Sequence, residues 1–116
     1  MQKIFIIMFI GLFIACSQED SVRDLDHLYR GKAEIDIVNE LGKPDKQWVF
    51  TMAEAHGEFR IELYNTYSPN AVGNEEVEIK EMQWKDGFYY ITIWLHKVKG
   101  KWKGLDAVRW HRSVEF

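Results

Sequence analysis

The residue types with chemical potential in this chain are one cysteine, Cys16, four histidines and two groups of surface candidates. A lone thiol forms no internal disulfide, and its plain reading is an ordinary buried cysteine in an apolar segment. His27, His56, His96 and His111 are far apart and lack a ligand spacing such as His-x3-His, so they read as surface or half-buried side chains. No glycine-rich phosphate loop, Gly-x-Ser-x-Gly elbow or cysteine–histidine pair occurs. Glu75, Glu76 and Glu78 read as a solvated strand start, and no two carboxylates stand out as an acid–base pair. The expectation is therefore a protein without enzymatic activity, metal or catalytic cofactor. Lys97, Lys99, Lys101 and Lys103 alternate around Gly100. On a hairpin they are expected on one face, where they would meet lipid headgroups or an acidic partner. The plainer reading of these lysines is a solvated hairpin guarding a sheet edge. Among the aromatics, Tyr64, Tyr67, Tyr89, Tyr90, Trp94 and Trp102 exceed what one helix-covered sheet face buries. Tyr90 and Trp94 join the lysines as a candidate interaction surface for a protein or glycan.

The surroundings of Cys16 narrow its chemistry. Met1-Gln2-Lys3 carries one positive charge, Ile4 to Ala15 carry none, and Ser17-Gln18-Glu19-Asp20 is polar and then acidic. A basic start, a short apolar run and a small residue before the cut form the pattern of a secretory signal peptide. The run is shorter than the roughly 20 residues that span a bilayer. With a cysteine directly after it, Phe13-Ile14-Ala15-Cys16 resembles a bacterial lipoprotein signal, although Phe13 stands where that family prefers Leu. The resemblance implies a covalent, palmitate-type lipid on Cys16 and cleavage before it. Residues 1–15 would leave as a signal peptide, 16–21 would form the anchor and tether, and 22–116 one domain. Ser17, in place of an Asp after the cysteine, implies an outer-membrane lipoprotein of the cell envelope, facing either the periplasm or the cell surface.

Charge agrees with an envelope protein that binds no nucleic acid. The chain has 15 Lys and Arg against 18 Asp and Glu, a net −3, and loss of Lys3 with the leader lowers this to −4. A nucleic-acid partner calls for a basic domain. The expected partners are the membrane, through the anchor, and another envelope protein.

The elements that must position these residues follow from periodicity. Val22, Leu25, Leu28 and Tyr29 predict a short helix from Ser21 to about Arg30. Ile35, Ile37, Val38 and Leu41 predict a second, without a Ser or Thr cap, closed by Gly42 and Pro44. Trp48, Phe50 and Met52 then alternate, as do Phe59, Ile61 and Leu63, which predicts a hairpin across Ala55-His56-Gly57. A loop over Ser68 to Asn74 follows. Val77 and Ile79 are out of phase with Met82 and Trp84, which predicts a bulge near Lys80-Glu81. Asp86-Gly87 predicts a tight turn. Phe88 to Val98 is apolar on both faces and should be central. Lys99-Gly100-Lys101 turns into a last strand region, Trp102 to Phe116, kinked at Gly104. The fold class is α+β: two short N-terminal helices packed on one face of an antiparallel meander sheet of about five strands.

Gly31, Ile37, Leu41, Gly42 and Pro44 also fall at the spacings of a helix signature in the SmpA/OmlA small outer-membrane lipoproteins, which include BamE. Residues 31–44 resemble that family, with Lys32 and Ala33 in place of its Met and Thr. The resemblance implies a helix-then-sheet domain acting as an accessory to outer-membrane assembly. The alternative is a small-ligand-binding or enzymatic domain of the cystatin-like or nuclear-transport-factor-2-like kind on the same anchor. Its long pocket-lining helix has little room before Gln47.

Overall fold

A computed structural model describes residues 21–114. Cys16, the leader, the tether before residue 21 and Phe116 lie outside the described residues. The fold is α+β around one antiparallel sheet of five strands: β1 (Val22–Asp24), β2 (Lys46–Thr51), β3 (Glu78–Asp86), β4 (Tyr89–Val98) and β5 (Lys101–His111). Their order is β1-β5-β4-β3-β2, so β2 to β5 meander and β1 closes the far edge beside β5. β4 is central, as its apolar character on both faces requires. None of the described helices is long and apolar enough to cross a membrane.

The sheet carries a hydrophobic core on each face. Met82 and Trp84 of β3 and Ile93 and Leu95 of β4 join Leu25, Tyr29, Ile37 and Ala107 in the first core. Ile79 of β3 and Trp94 of β4 join Phe50, Met52, Ala55, Leu63 and Leu105 in the second. Side chains alternate along a strand, so the phase change between Ile79 and Met82 marks two covered faces. The bulge expected near Lys80-Glu81 is not there: β3 pairs with both neighbours without a slip. Glu81, a charged residue, continues the Ile79 face and is 1% exposed.

The slip lies in β5. Trp94 pairs with Asp106 and Leu95 with Gly104, which leaves Leu105 as the extra residue. At this point the N-terminal segment crosses the strand. Gly31 donates its N–H to the Gly104 carbonyl, and Gly104 donates to the Lys32 carbonyl, both at 2.8 Å. A Cβ on Gly104 would collide with the carbonyl of Tyr29.

Two further expectations are corrected. The first helix is a single turn, α1 (Asp26–Tyr29), preceded by β1, whose Val22, Arg23 and Asp24 pair with Trp110, Arg109 and Val108. The unpaired edge of β5 outweighs the local helical spacing, and Leu28 is left 53% exposed. The partner of β2 is β3 rather than residues 59–67, which form a 3-10 helix, Glu58–Asn65. β2 stops because Glu54 reaches back to the Thr51 N–H and hydroxyl, both at 3.0 Å, and starts a 3-10 turn, Met52–Glu54. Leu63 is fully buried while Ile61 is 58% exposed, so the alternation in that run is not that of a strand.

The second helix, α2 (Glu34–Leu41), lies where the sequence places it and has no side-chain cap. Gly42 closes it with an N–H to the Val38 carbonyl at 2.8 Å and a φ of 85°. The β3–β4 turn is Gly87-Phe88, one residue later than expected. Lys99 and Gly100, both with positive φ, form the β4–β5 turn in the manner of a type I′ hairpin.

Candidate functional site

The second core covers only part of its sheet face. Beyond it, directly paired residues set out rows of side chains: Trp48 with Glu81, Lys46 with Gln83 and Thr92, and Lys85 with Tyr90 and Trp110. Residues opposite one another in an antiparallel pair share a face, so these rows lie on the face of Ile79 and Trp94. His56, Phe59 and Arg60, from the segment covering the second core, form a wall beside them. Together with Trp48, Glu81, Gln83 and Trp110 they line an open groove of about 320 Å³. A smaller space of about 130 Å³ adjoins it at Gln83 and is lined by Asp45, Lys46, Lys85 and Tyr90.

The aromatic lining is locked from behind. Phe59 stands edge-on to both Trp94 and Trp110, with ring centroids 5.1 and 5.4 Å away. Trp110 packs at 4.7 Å from Tyr90 and donates its indole N–H to the Thr92 hydroxyl at 3.0 Å. Trp48 is 38% exposed at the rim. Such rings present flat apolar faces at little conformational cost on binding.

The charged wall is neutralised internally. Arg60 forks onto Glu81, Nε to Oε1 at 2.8 Å and Nη2 to Oε2 at 3.3 Å. Trp94 adds an indole N–H to Glu81 Oε1 at 2.6 Å, and the Arg60 guanidinium lies 4.1 Å from the Phe50 ring centroid. Glu81, the one carboxylate lining the groove, is thereby committed to structure. The lining combines aromatic faces open to stacking with Gln83 and His56 as hydrogen-bonding groups.

The residues singled out from sequence fare differently. The lysines do not share a face. Lys97 pairs with Trp102 on the side of the first core, whereas Lys101 pairs with Val98 and Lys103 with His96 on the other, and Lys99 lies in the turn. A two-residue turn reflects the alternation across the hairpin, so spacing around Gly100 separates Lys97 from Lys101. Lys97 is paired with Glu78 at 3.2 Å. Trp94 is 2% exposed and belongs to the second core, which removes it from any surface. Tyr90 is half-buried and does reach the face of the groove. The surplus of aromatics is absorbed by the second covered face, where Tyr64 and Tyr67 pack.

Sequence reasoning missed Arg60, Glu81 and Gln83. The sequence carries little signal for them, because residues 58–62 and 78–83 mix charged and apolar side chains as solvent-facing segments do. At the far end of the same face, His96 meets the Tyr67 hydroxyl through Nδ1. Burial lowers the His96 pKa and raises that of Tyr67. The second buried carboxyl, Asp106, is pushed up from 3.8 to about 6, first by burial and then by Asp26 and Glu62 acting against Arg30. No protein-family model, curated protein or solved structure matches the chain.

Proposed function

We propose that the protein is a non-enzymatic envelope module, held to the outer membrane by a lipid on Cys16, that grips another envelope protein through the aromatic groove. The observation that carries the binding role is the open groove of about 320 Å³ with Trp48, Phe59 and Trp110 around Gln83. Tryptophan, tyrosine and arginine at a concave centre are the composition of protein-binding hot spots. In this reading the two N-terminal helical segments cover the opposite sheet face, consistent with Leu25, Tyr29 and Ile37 in the first core. The resemblance of residues 31–44 to SmpA/OmlA proteins makes an outer-membrane assembly complex the natural partner. About five tether residues reach at most ~20 Å, so the partner is membrane-proximal on either face of that membrane. A cystatin-like or nuclear-transport-factor-2-like ligand carrier calls for an enclosed cavity. Here the space over the sheet is filled by Leu63, Met52 and Trp94, and the groove opens outward, which favours the interaction reading.

Two measurements test this. Cys16→Ser should lose labelling by a palmitate analogue and leave the membrane fraction; an unlabelled, membrane-bound wild type would sink the anchor. A photo-crosslinking residue at Trp48 should give a discrete envelope-protein adduct, while the same residue at exposed Ile35 gives none. Equal yields at the two positions would refute the groove as the binding site.

A further inference from the structure

A second site is built where three elements meet away from the groove. Asp26 opens α1, Glu62 belongs to the 3-10 helix Glu58–Asn65, and Asp106 follows the β5 bulge. Each brings a carboxylate oxygen to within 4.8 Å of the other two. Arg30 bridges two of them, donating from Nη2 to Asp26 Oδ2 at 3.0 Å and to Asp106 Oδ1 at 2.9 Å. Its Nε is occupied by the Leu105 carbonyl at 2.9 Å. One guanidinium against three carboxylates leaves the cluster strongly negative.

Their remaining oxygens have distinct surroundings. Asp26 Oδ1 accepts the Ala107 N–H at 2.6 Å, which fixes that carboxylate against β5. Asp106 is 4% exposed, and its Oδ2 is buried without a hydrogen-bond donor among the described residues. A buried carboxylate oxygen normally has a partner, and Arg30 is already committed to Oδ1. Glu62 is exposed and lies at the solvent side of the trio.

We propose that Asp26, Glu62 and Asp106 form a binding site for a calcium-sized divalent cation, with Asp106 Oδ2 as its buried ligand. The donor set is all oxygen, which selects a hard cation over zinc or copper. Calcium–oxygen distances of about 2.3–2.6 Å allow two ligands of one ion to stand about 5 Å apart, whereas magnesium, at about 2.0–2.1 Å, allows about 4.2 Å. Oxygens that lie within 4.8 Å of one another fit inside the span of a calcium shell. Glu62 at the lip leaves room for the waters that complete a calcium shell. The bound ion would pin the 3-10 helix to β5 and α1, and Phe59 and Arg60 of the same helix wall the groove.

The test uses the full chain in detergent, stripped with EDTA and titrated with calcium chloride alone, followed by calorimetry and thermal unfolding. The expected result is one saturable site with a Kd of about 10⁻⁴–10⁻³ M, as in extracellular calcium modules, and magnesium binding at least ~10-fold weaker. Asp106→Asn should abolish binding. Glu62→Gln, an exposed substitution that leaves the core untouched, should weaken it at least ~5-fold through loss of one charged ligand. Absence of saturable heat and of any rise in unfolding midpoint up to about 10 mM calcium, ten times the weakest expected Kd, would overturn the site. Unchanged affinity in Glu62→Gln would overturn it equally. Neither result bears on crosslinking from Trp48, so the two proposals fail separately.

Discussion

Replacing Arg60 by Met tests whether the Arg60–Glu81 pair holds the groove wall in place. Glu81 is 1% exposed, and Arg60 supplies two of its three hydrogen bonds from charged or polar side chains. Methionine keeps most of the side-chain volume over the Phe50 ring but leaves the carboxylate without a counter-charge. Breaking a buried pair from one side costs about 3–5 kcal/mol. Trp94 still donates to Oε1, which places the loss at the low end, about 3 kcal/mol. For a domain of this size that lowers the unfolding midpoint by on the order of 15 °C. Urea titration followed by tryptophan fluorescence reads the change directly, since Trp94 touches the pair. The sharper readout is a sign reversal. Adding Glu81→Gln to Arg60→Met removes the stranded charge while keeping an acceptor for Trp94, and should recover about 1–2 kcal/mol. An Arg60→Met protein that unfolds with the wild type, or a double variant less stable than Arg60→Met alone, would refute the reasoning.

Other outcomes follow from single contacts. Gly104→Ala should cost about 1–3 kcal/mol, because the added Cβ meets the Tyr29 carbonyl and backbone must shift; the urea midpoint measures it, and no change would show that the crossing is loose. The lowered pKa of His96, which faces Tyr67 and stands opposite Lys103, has a definite sign. A histidine with its folded pKa below the unfolded value of about 6.5 stabilises the fold above that pH and loses its contribution as pH falls through it. The stability difference between wild type and His96→Gln should therefore shrink between about pH 7.5 and 5, and a difference constant with pH would contradict it.

Elements whose pattern had one interpretation were legible in the sequence. Gly42 and Pro44 end α2 because backbone geometry leaves few alternatives, and Lys99-Gly100 turns the β4–β5 hairpin for the same reason. β4 is central because a strand apolar on both faces, such as Tyr89–Val98, has to be covered on both. Three of the differences share one cause, the premise of a single covered face. From it came the bulge assigned to Lys80-Glu81, the surplus of aromatics and the hairpin over residues 59–67. With a core on each face, Ile79 and Met82 are both inward, and Tyr64 and Tyr67 have a place to pack. β1 was hidden for a different reason. Three residues carry almost no periodic signal, and their strand state comes from pairing with Trp110, Arg109 and Val108. Of the candidate site, only Tyr90 was in view. The groove is assembled from residues as far apart as Trp48 and Trp110, brought together by register rather than by any local motif.

The groove itself follows from a mismatch of lengths. β3, β4 and β5 run 9, 10 and 11 residues, so at about 3.4 Å per residue they present a face more than 30 Å long. The 3-10 helix over the second core has 8 residues and rises about 2 Å per residue, some 16 Å in all. Even laid along the strands it covers about half of them. It ends its coverage at Phe59 and Arg60, and beside and beyond it stand the aromatic rings of Trp48, Tyr90 and Trp110. Lengthening the cover to protect those rings would bury Gln83 and Lys85 without partners, at a cost for each unpaired polar group. A sheet that needed only to fold would put polar residues at these positions, as strand faces open to water do. Two tryptophans and a tyrosine at the uncovered end are therefore the residues on which the proposed binding role rests.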